Sequence, residues 1–590
     1  MDTFIGFSLF YNLLSQKNEA ALTAQKKALS CFTHLQYQSI EIGASRLELW
    51  GRKPLNTHIH YLPDGALLAL IGSPLGGTSL REVGELLVNH QNLEKFEIPW
   101  DGRVVLLLIS ADGERWTIWN DWLGSIPVYH AQVADGRVAS SIEPVVVAAG
   151  GFSPKDISLP GLMSLLINGH FFSDWSLYKD MQVIPPDSMM KWEGRQLRFT
   201  RKWTVQPSQE HCETSWDNLV DEMHELSHRS IADVLKQQDA WILPLSSGLD
   251  SRLIAAVGAD VGANLYSYAW GEPHTTDVVY SREIAKVLGL PWKHIAMRRD
   301  FLLEYTKRWA DWFGSGMHFH GMYQMCFLDA IKDERSAPVL SGYIGDVLAG
   351  DAVIDANSYH SVPGKQQLEN KWYSHWLSEE VKTLMNISVD DALEANAEEI
   401  KKQIGLVPGA YFQKLQFLQL WGRQRFFTYF QSTLADYWRG VATPFLNRAY
   451  ARFCMSLPRA VLDNRRLLGD VFRRYYGKLA VIPGTYANEP FIVTGRYLLR
   501  RRVATHIPIA MHRGLLGGVG NIQLRMDMLC MRTAGQKALW PIHEARDQLH
   551  DWLDIRQIEQ TYQAVMSNLE DIRPLRKLQS IQTLAYRLKE

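Results

Sequence analysis

One stretch constrains this chain more than any other: "ILPLSSGLDSRLIAAV", residues 242–257. Ile242, Leu243 and Leu245 form a short apolar run, Ser246 to Ser251 is small and polar, and Leu253, Ile254 and Val257 recur at helical spacing. The pattern predicts a buried strand, a tight turn and a helix. A strand feeding directly into a helix belongs to an open parallel sheet, and such sheets bind ligands at the carboxyl ends of their strands.

The downstream sequence repeats the unit. "NLYSYAWG" (264–271) reads as a strand, "DVVYSREIAKVLGL" (277–290) as a helix, "WKHIAM" as a short strand, and "APVLSGYIGD" (337–346) as a fourth strand ending in a turn. Alternating strands and helices predict parallel pairing with right-handed crossovers. After about residue 365 the sequence reads as largely helical. Upstream the texture is different. "ALLALIGS" (66–73), "RVVLLLIS" (103–110) and "RWTIWN" (115–120) are strand-like, with turn signals at "ADG" (111–113) and "ADGR" (134–137). These features predict packed antiparallel sheets with some helices. The polar stretch "VQPSQEHCETSWDN" (205–218) lies between the two textures. The expected organisation is therefore α/β in two parts, residues 1–205 and 206–590. A chain of 590 residues exceeds what one core serves, since domains run to about 100–200 residues.

Charge and cysteine content narrow the function classes. Lys and Arg total 62 against 63 Asp and Glu, which gives no overall attraction to nucleic acid or anionic membranes. Arginines cluster locally in "GRYLLRRRVATH" (495–506), as a solvated helix face or a patch for an acidic partner. The five cysteines stand far apart without CxxC spacing, which argues against structural zinc and suits a reducing, cytoplasmic location. No apolar run reaches the ~18 residues needed to span a bilayer, and the N-terminal stretch lacks signal-peptide character. His318 and His320 in "MHFHG" form a pair without a third ligand nearby, so no metal is read from them.

Two turns carry the chemistry. Ser246-Ser247-Gly248-Leu249-Asp250-Ser251 and Ser341-Gly342-Tyr343-Ile344-Gly345-Asp346 each follow an apolar strand, so both should open on one edge of one sheet. Small residues let backbone N–H groups wrap phosphate oxygens at a helix N-terminus. Asp250 and Asp346 are then placed to share Mg²⁺ bound to a polyphosphate.

These residues resemble the asparagine synthetase family. The first turn is similar to its pyrophosphate loop, Ser-Gly-Gly-x-Asp-Ser, with Ser247 in place of a Gly. "LSGYIGDVLAGD" (340–351) resembles its second loop. "NDWLGSIPVYH" (120–130), "VASSIEPV" (138–145) and "LYKDMQVIPPDSMMKW" (177–192) resemble segments of class II glutamine amidotransferase domains, and "ATPFLNRAYARFCMSLP" (442–458) resembles a late helical segment of the synthetase domain. The resemblance implies an N-terminal αββα antiparallel sandwich and a C-terminal parallel-sheet ATP-pyrophosphatase domain with a large helical part. It implies ATP and Mg²⁺, adenylation of a carboxylate, and attack by an amine that releases AMP. Ser246, Ser247, Gly248, Asp250 and Ser251 would bind the nucleotide phosphates. Leu245, Trp270 and Gly271 would flank the adenine, with Ser341 and Gly342 beside the nucleotide.

Three departures are informative. Glutamine-using relatives place a nucleophilic Cys directly after the initiator Met, whereas Asp2 stands here and the first cysteine is Cys31. The amidotransferase half is therefore expected to be inactive, with the amine supplied by the substrate or by free ammonia. Ser247 would be strained if its backbone required φ > 0. Tyr343 stands where asparagine-forming members carry an acid, as in the β-lactam synthetases. There a Tyr acts with a Glu, and Glu379 or Glu380 is the candidate here. Lys478 is the candidate transition-state cation, with Arg423 and Arg425 as alternatives. The expected function is amide formation without glutamine, favouring a macrolactam cyclase of the lasso-peptide type. Alternatives are amidation of an acidic sugar in a surface polysaccharide and a non-catalytic scaffold. The implied partners are a peptide or small-molecule acid and amine, with a precursor-peptide protease or leader-binding protein, and neither nucleic acid nor membrane insertion.

Overall fold

A computed structural model describes residues 3–589 apart from 53–57, 90–91, 134–135, 195, 274, 333–335, 351–374, 485–489, 505–536, 538 and 568–572. Asp2, His274 and the end of the second-loop motif, Asp351, lie outside the described residues. The N-terminal strands are β1 (Phe4–Tyr11), β2 (Gln36–Ile42), β3 (Ser45–Gly51), β4 (Ile59–Tyr61), β5 (Leu67–Leu75), β6 (Asp101–Ile109), β7 (Arg115–Asn120), β8 (Tyr129–Val133), β9 (Gly136–Ser140), β10 (Met181–Val183), β11 (Ser188–Glu193) and β12 (Gln196–Arg201). They form one 12-stranded sheet that divides at β1. One half runs β10-β8-β9-β1-β3-β2, the other β4-β5-β6-β7-β11-β12, and a single parallel pair, Phe4 opposite Ile71, joins them.

Side-chain alternation shows why the halves face each other. Phe7 and Leu9 of β1 and Leu47 and Leu49 of β3 share one buried cluster with Leu67, Ala69 and Ile71 of β5 and Val105, Leu107 and Ile109 of β6. The intervening residues Leu68, Leu70, Val104 and Leu106 point the other way, into a separate cluster with Leu80, Val83 and Leu87. Strands β5 and β6 read as unbroken apolar runs because both of their faces are covered. Helix α1 (Ser15–Leu29) packs on α3 (Glu143–Gly150), which lies on β8 and β9, while α2 (Leu80–Asn89) covers β4 and β5. The layers are helix, sheet, sheet, helix, as expected. Helix α4 (Leu159–Asn168) packs against the C-terminal helix Arg573–Lys589.

The second sheet is wholly parallel. Its strands are β13 (Trp241–Pro244), β14 (Leu265–Trp270), β15 (Trp292–Ile295), β16 (Val339–Leu340) and β17 (Val441–Ala442), in the order β15-β14-β13-β16-β17. Helices α5 (Trp216–Leu235), α6 (Leu249–Asp260) and α7 (Thr276–Leu288) pack in sequence beside it. The chain leaves β13 toward β14 on one side and returns with β16 on the other. The order therefore reverses between β13 and β16, where open α/β sheets bind ligands.

Buried polar contacts join the two sheets' surroundings. Asp436 accepts from Arg52, from Arg103 at 3.2 Å and from Ser73 Oγ at 3.2 Å. Arg425 is fully buried and donates to the carbonyls of Gly124 (3.2 Å), Ser173 (3.2 Å) and Ile184. Arg425 stands in a π-helical run, Leu420–Thr428, between the helices Tyr411–Gln419 and Phe430–Trp438. Long π-helical runs are rare and recur at functional sites. Among the described residues no helix is long and apolar enough to cross a membrane.

Candidate active site

The first loop closes on its own side chains. The Ser246 N–H donates to Ser251 Oγ at 3.1 Å, and the Gly248 N–H donates to Ser246 Oγ at 3.1 Å. Gly248 caps α6 at φ −64°, and no residue of the loop has positive φ, so Ser247 carries no backbone strain. Ser247 is fully buried, and its N–H (3.0 Å) and hydroxyl (2.7 Å) both go to Asp277 Oδ1. Its hydroxyl therefore braces the loop from behind rather than facing a ligand. The first turn of α6, at Leu249, Asp250 and Ser251, follows the carboxyl end of β13 through this loop, and a helix N-terminus is a favourable place for an anion.

The second loop packs directly against the first. The Asp346 N–H donates to Asp250 Oδ2 at 2.9 Å, across 96 residues of sequence. A Cβ on Gly342 would stand 2.9 Å from Asp250 Cβ, and one on Gly345 would stand 2.9 Å from its carboxyl carbon. Only glycine at these two positions allows the approach. Ile344 between them adopts φ +64°, which is uncommon for a β-branched residue. Such backbone strain clusters where surrounding structure forces a functional geometry. Ser341 is tied to β17 by its N–H to the Ala442 carbonyl (2.9 Å), and its hydroxyl lies 3.4 Å from that of Ser432.

The remaining expected site residues divide into two groups. Leu245 is buried and its N–H donates to the Tyr268 carbonyl at 2.8 Å, which pins the end of β13 to β14. Trp270 ends β14 and stacks on Phe327, ring centroids 4.5 Å apart, and its buried indole N–H has no hydrogen-bond partner among the described residues. Gly271 follows at φ 128°, its carbonyl 2.7 Å from His294 Nε2. These residues share the carboxyl edge with both loops. Lys478 is exposed on the short helix Gly477–Ala480, which packs against α7. Arg423 lies over the Phe427 ring, 5.3 Å from its centroid.

Tyr343 and its candidate partners Glu379 and Glu380 make separate contacts. The Tyr343 phenol is fully buried and donates to the Gln424 carbonyl at 2.6 Å, and burial pushes its pKa well above the usual phenol range. Glu379 and Glu380 stand on the helix Ser378–Leu384. Glu380 accepts the Leu377 N–H at 2.9 Å and pairs with Lys577 at 2.8 Å, and Glu379 lies 3.7 Å from Lys382. A phenol held in this way is a donor that packs the loop. Tyr343→Phe is accordingly expected to lower stability by about 1–2 kcal/mol through the orphaned carbonyl, with turnover reduced less than tenfold and its pH profile unshifted. A base would cost roughly 10²–10⁴-fold, so a denaturation curve and a pH–rate profile of this variant separate the two roles.

Asp250 and Asp346 are half-buried carboxylates opening on one edge. Two hard oxygen donors, with water and phosphate oxygens completing the shell, suit Mg²⁺, which seldom takes an all-protein cage. No group of three His, Cys, Asp or Glu fit to hold a metal ion occurs among the described residues. Two cavities of about 20 Å³ each, one lined by Trp100, Asp121 and Arg448 and the other by Arg103, Tyr129 and Tyr429, lie elsewhere and have room for a single water.

Sequence reasoning missed two residues of this site. Asp277 was legible only as a helix start, and Arg252 was not singled out. The signal for Arg252 is a charge set among Leu253, Ile254, Ala255 and Ala256 on a buried stretch of α6.

Comparison with known proteins adds one informative match. Residues 223–433 match the family model of asparagine synthase. No curated protein sequence matches the chain. Among solved structures, glutamine phosphoribosylpyrophosphate amidotransferase from B. subtilis complexed with ADP and GMP is similar at 9% identity and a TM-score of 0.22, over 49% of this chain and 65% of that one. A structure of the allosteric regulatory enzyme of purine biosynthesis gives 9% identity and a TM-score of 0.22, over 49% of this chain and 64% of that one. The chain thus spans less than two thirds of either protein's length, and similarity of this size establishes no common fold.

Proposed function

We propose that this chain, matched from residue 223 to 433 by the asparagine synthase model, is an ATP-dependent amide-forming synthetase that adenylates a carboxylate. The observation that carries the reading is the meeting of the two loops at the sheet's switch point, sealed by the Asp346 N–H to Asp250. In the first step a carboxylate oxygen attacks the α-phosphorus of ATP and pyrophosphate leaves. In the second an amine attacks the acyl carbon, AMP leaves, and the amine gives up a proton. The N–H groups at the start of α6 receive the departing pyrophosphate, where preorganised donors stabilise developing charge. Asp250 and Asp346 would hold Mg²⁺, which supplies neutralisation of the polyphosphate charge. Trp270 and Phe327 offer an aromatic wall on the β14 side of the same edge.

The amine is proposed to come with the substrate. Asp2 and Thr3 directly precede β1, where glutamine-using relatives place their nucleophile. Cys31 lies beyond α1, and burial raises its pKa, which disfavours the thiolate. An acid and an amine within one substrate imply ring closure, so the favoured reaction is macrolactam formation in a peptide. The test is incubation with Mg²⁺, ATP and a linear precursor peptide bearing an Asp or Glu side chain and a free α-amine. The expected product is the peptide lighter by one water, with one AMP per ring. A requirement for added ammonia, or turnover of acidic sugars and not of peptides, would replace the macrolactam reading within the same chemistry. No AMP with any acid would overturn the synthetase reading.

A further inference from the structure

Arg252 stands in the first turn of α6, and its side chain is fully buried. Its guanidinium donates to four main-chain carbonyls: Ser247 at 2.9 Å, Pro483 at 2.7 Å, Ile482 at 2.8 Å and Leu479 at 3.2 Å. The Phe472 ring lies 5.9 Å away as a further neighbour. Carbonyls satisfy the four Nη donors, while the buried Nε–H has no hydrogen-bond partner among the described residues. Carbonyls do not neutralise the charge as a carboxylate would, and burying a cation on such terms is costly. A lysine has three donors on one point and cannot reproduce this fork.

The four acceptors belong to two separate parts of the chain. Ser247 lies in the first loop, whereas Leu479, Ile482 and Pro483 belong to the segment that follows Lys478. The loop is gripped from its other side by Asp277, which takes the N–H and hydroxyl of Ser247. Ser247 is thereby held between a carboxylate on α7 and a guanidinium on α6. Gly484 completes the contact, since a Cβ there would come within 4.0 Å of the Ser247 carbonyl.

We infer that Arg252 is a positioning residue that locks the polyphosphate loop to residues 477–484, so that a polyphosphate bound at the loop orders the segment carrying Lys478. This rests on reading Ser246–Ser251 as the polyphosphate site. The geometry gives the coupling a physical carrier. Tightening of the loop on its ligand fixes the Ser247 carbonyl, the guanidinium follows, and its three other bonds hold the main chain of the segment in one place. Arg252 touches no reacting atom, and its effect passes through the two segments it joins.

The test is amide hydrogen exchange of the full chain with and without Mg²⁺-pyrophosphate, with Mg²⁺-adenosine as control. In the wild-type protein pyrophosphate should slow exchange in both 246–251 and 477–484, and adenosine should leave 477–484 unchanged. In Arg252→Lys, loop protection should persist, protection of 477–484 should fall about tenfold, and kcat for pyrophosphate release should fall more than the KM for MgATP rises. Protection of the loop without the segment in the wild-type protein overturns the inference, and so does equal protection of the segment in Arg252→Lys. Absence of protection in both regions of the wild-type protein would refute the polyphosphate site instead.

Discussion

Carboxylate-dependent release of pyrophosphate from MgATP is expected to fall about 10³-fold in Asp250→Ala, the scale on which a group stabilising developing charge contributes. Two consequences of the substitution must be separated. Alanine removes a negative charge from the proposed Mg²⁺ site, and it also removes the acceptor of the Asp346 N–H. Asp250→Asn keeps an oxygen for that N–H while losing the charge. The asparagine protein should therefore unfold like the wild type and still lose most of its activity. The alanine protein should in addition be less stable by about 1–2 kcal/mol. Asp346→Asn should match Asp250→Asn in activity, and the double variant should be little worse than either, because two ligands of one ion act as a unit. Equal activity in Asp250→Asn and wild type would remove Asp250 from the chemistry.

Acid should loosen the junction between the N-terminal sandwich and the C-terminal helix. His318, His320 and His375 are buried around Phe427, His170 is buried close enough to act on His318 and His375, and Ser580 of the helix Arg573–Lys589 lies 3.2 Å from His318 Nε2 and 3.1 Å from His375 Nδ1. Burial lowers all four, His170 to about 4, His318 to about 3, and His320 and His375 well below the ordinary value, with Arg576 adding to the effect on His318, His320 and His375. His130, buried beside Arg137, is lowered to about 3. Because the folded values lie below those of the unfolded chain, the unfolded chain takes up protons first. The stability these imidazoles provide is complete above about pH 6.5 and is lost as pH falls toward 4, at about 1.4 kcal/mol per pH unit for each. Asp187 works in the opposite sense, since burial raises its carboxyl to about 6, and burial raises Asp121 and Asp174 as well. The lowered imidazoles outnumber the raised carboxyls, so the balance is a loss of stability as the pH falls. Near-UV circular dichroism should show a cooperative loss of tertiary signal between pH 6 and 4. A signal and thermal midpoint unchanged down to pH 4 would contradict this account of the cluster.

Local pattern carried much of the architecture. The strand at 242–245, the following turn and the helix appear as β13, loop and α6 because apolar period and small-residue punctuation agree there. The expected strand at 264–271 is β14, and the helix expected at 277–290 is α7. β17 went unread because two residues, Val441–Ala442, have no period to detect, and their place beside β16 comes from long-range pairing. The candidate site was legible to the same degree. The Ser/Gly turns identify themselves through composition, and the two aspartates follow from their position in those turns. Partners set by distant contacts were not legible. Nothing local assigns Ser247 to Asp277, Tyr343 to the Gln424 carbonyl, or Arg252 to four carbonyls in two segments. The pairing of Tyr343 with Glu379 or Glu380 rested on order along the chain, which does not report depth. The structure buries the phenol and leaves both carboxylates on an outer helix.

In the proposed reaction a substrate carboxylate becomes bonded to the α-phosphorus of ATP. The most direct measurement is turnover of a substrate whose carboxylate carries ¹⁸O, followed by mass analysis of the nucleotide. One labelled oxygen is expected in each AMP formed, with pyrophosphate as the other product. Unlabelled AMP, or ADP and inorganic phosphate in its place, would contradict it.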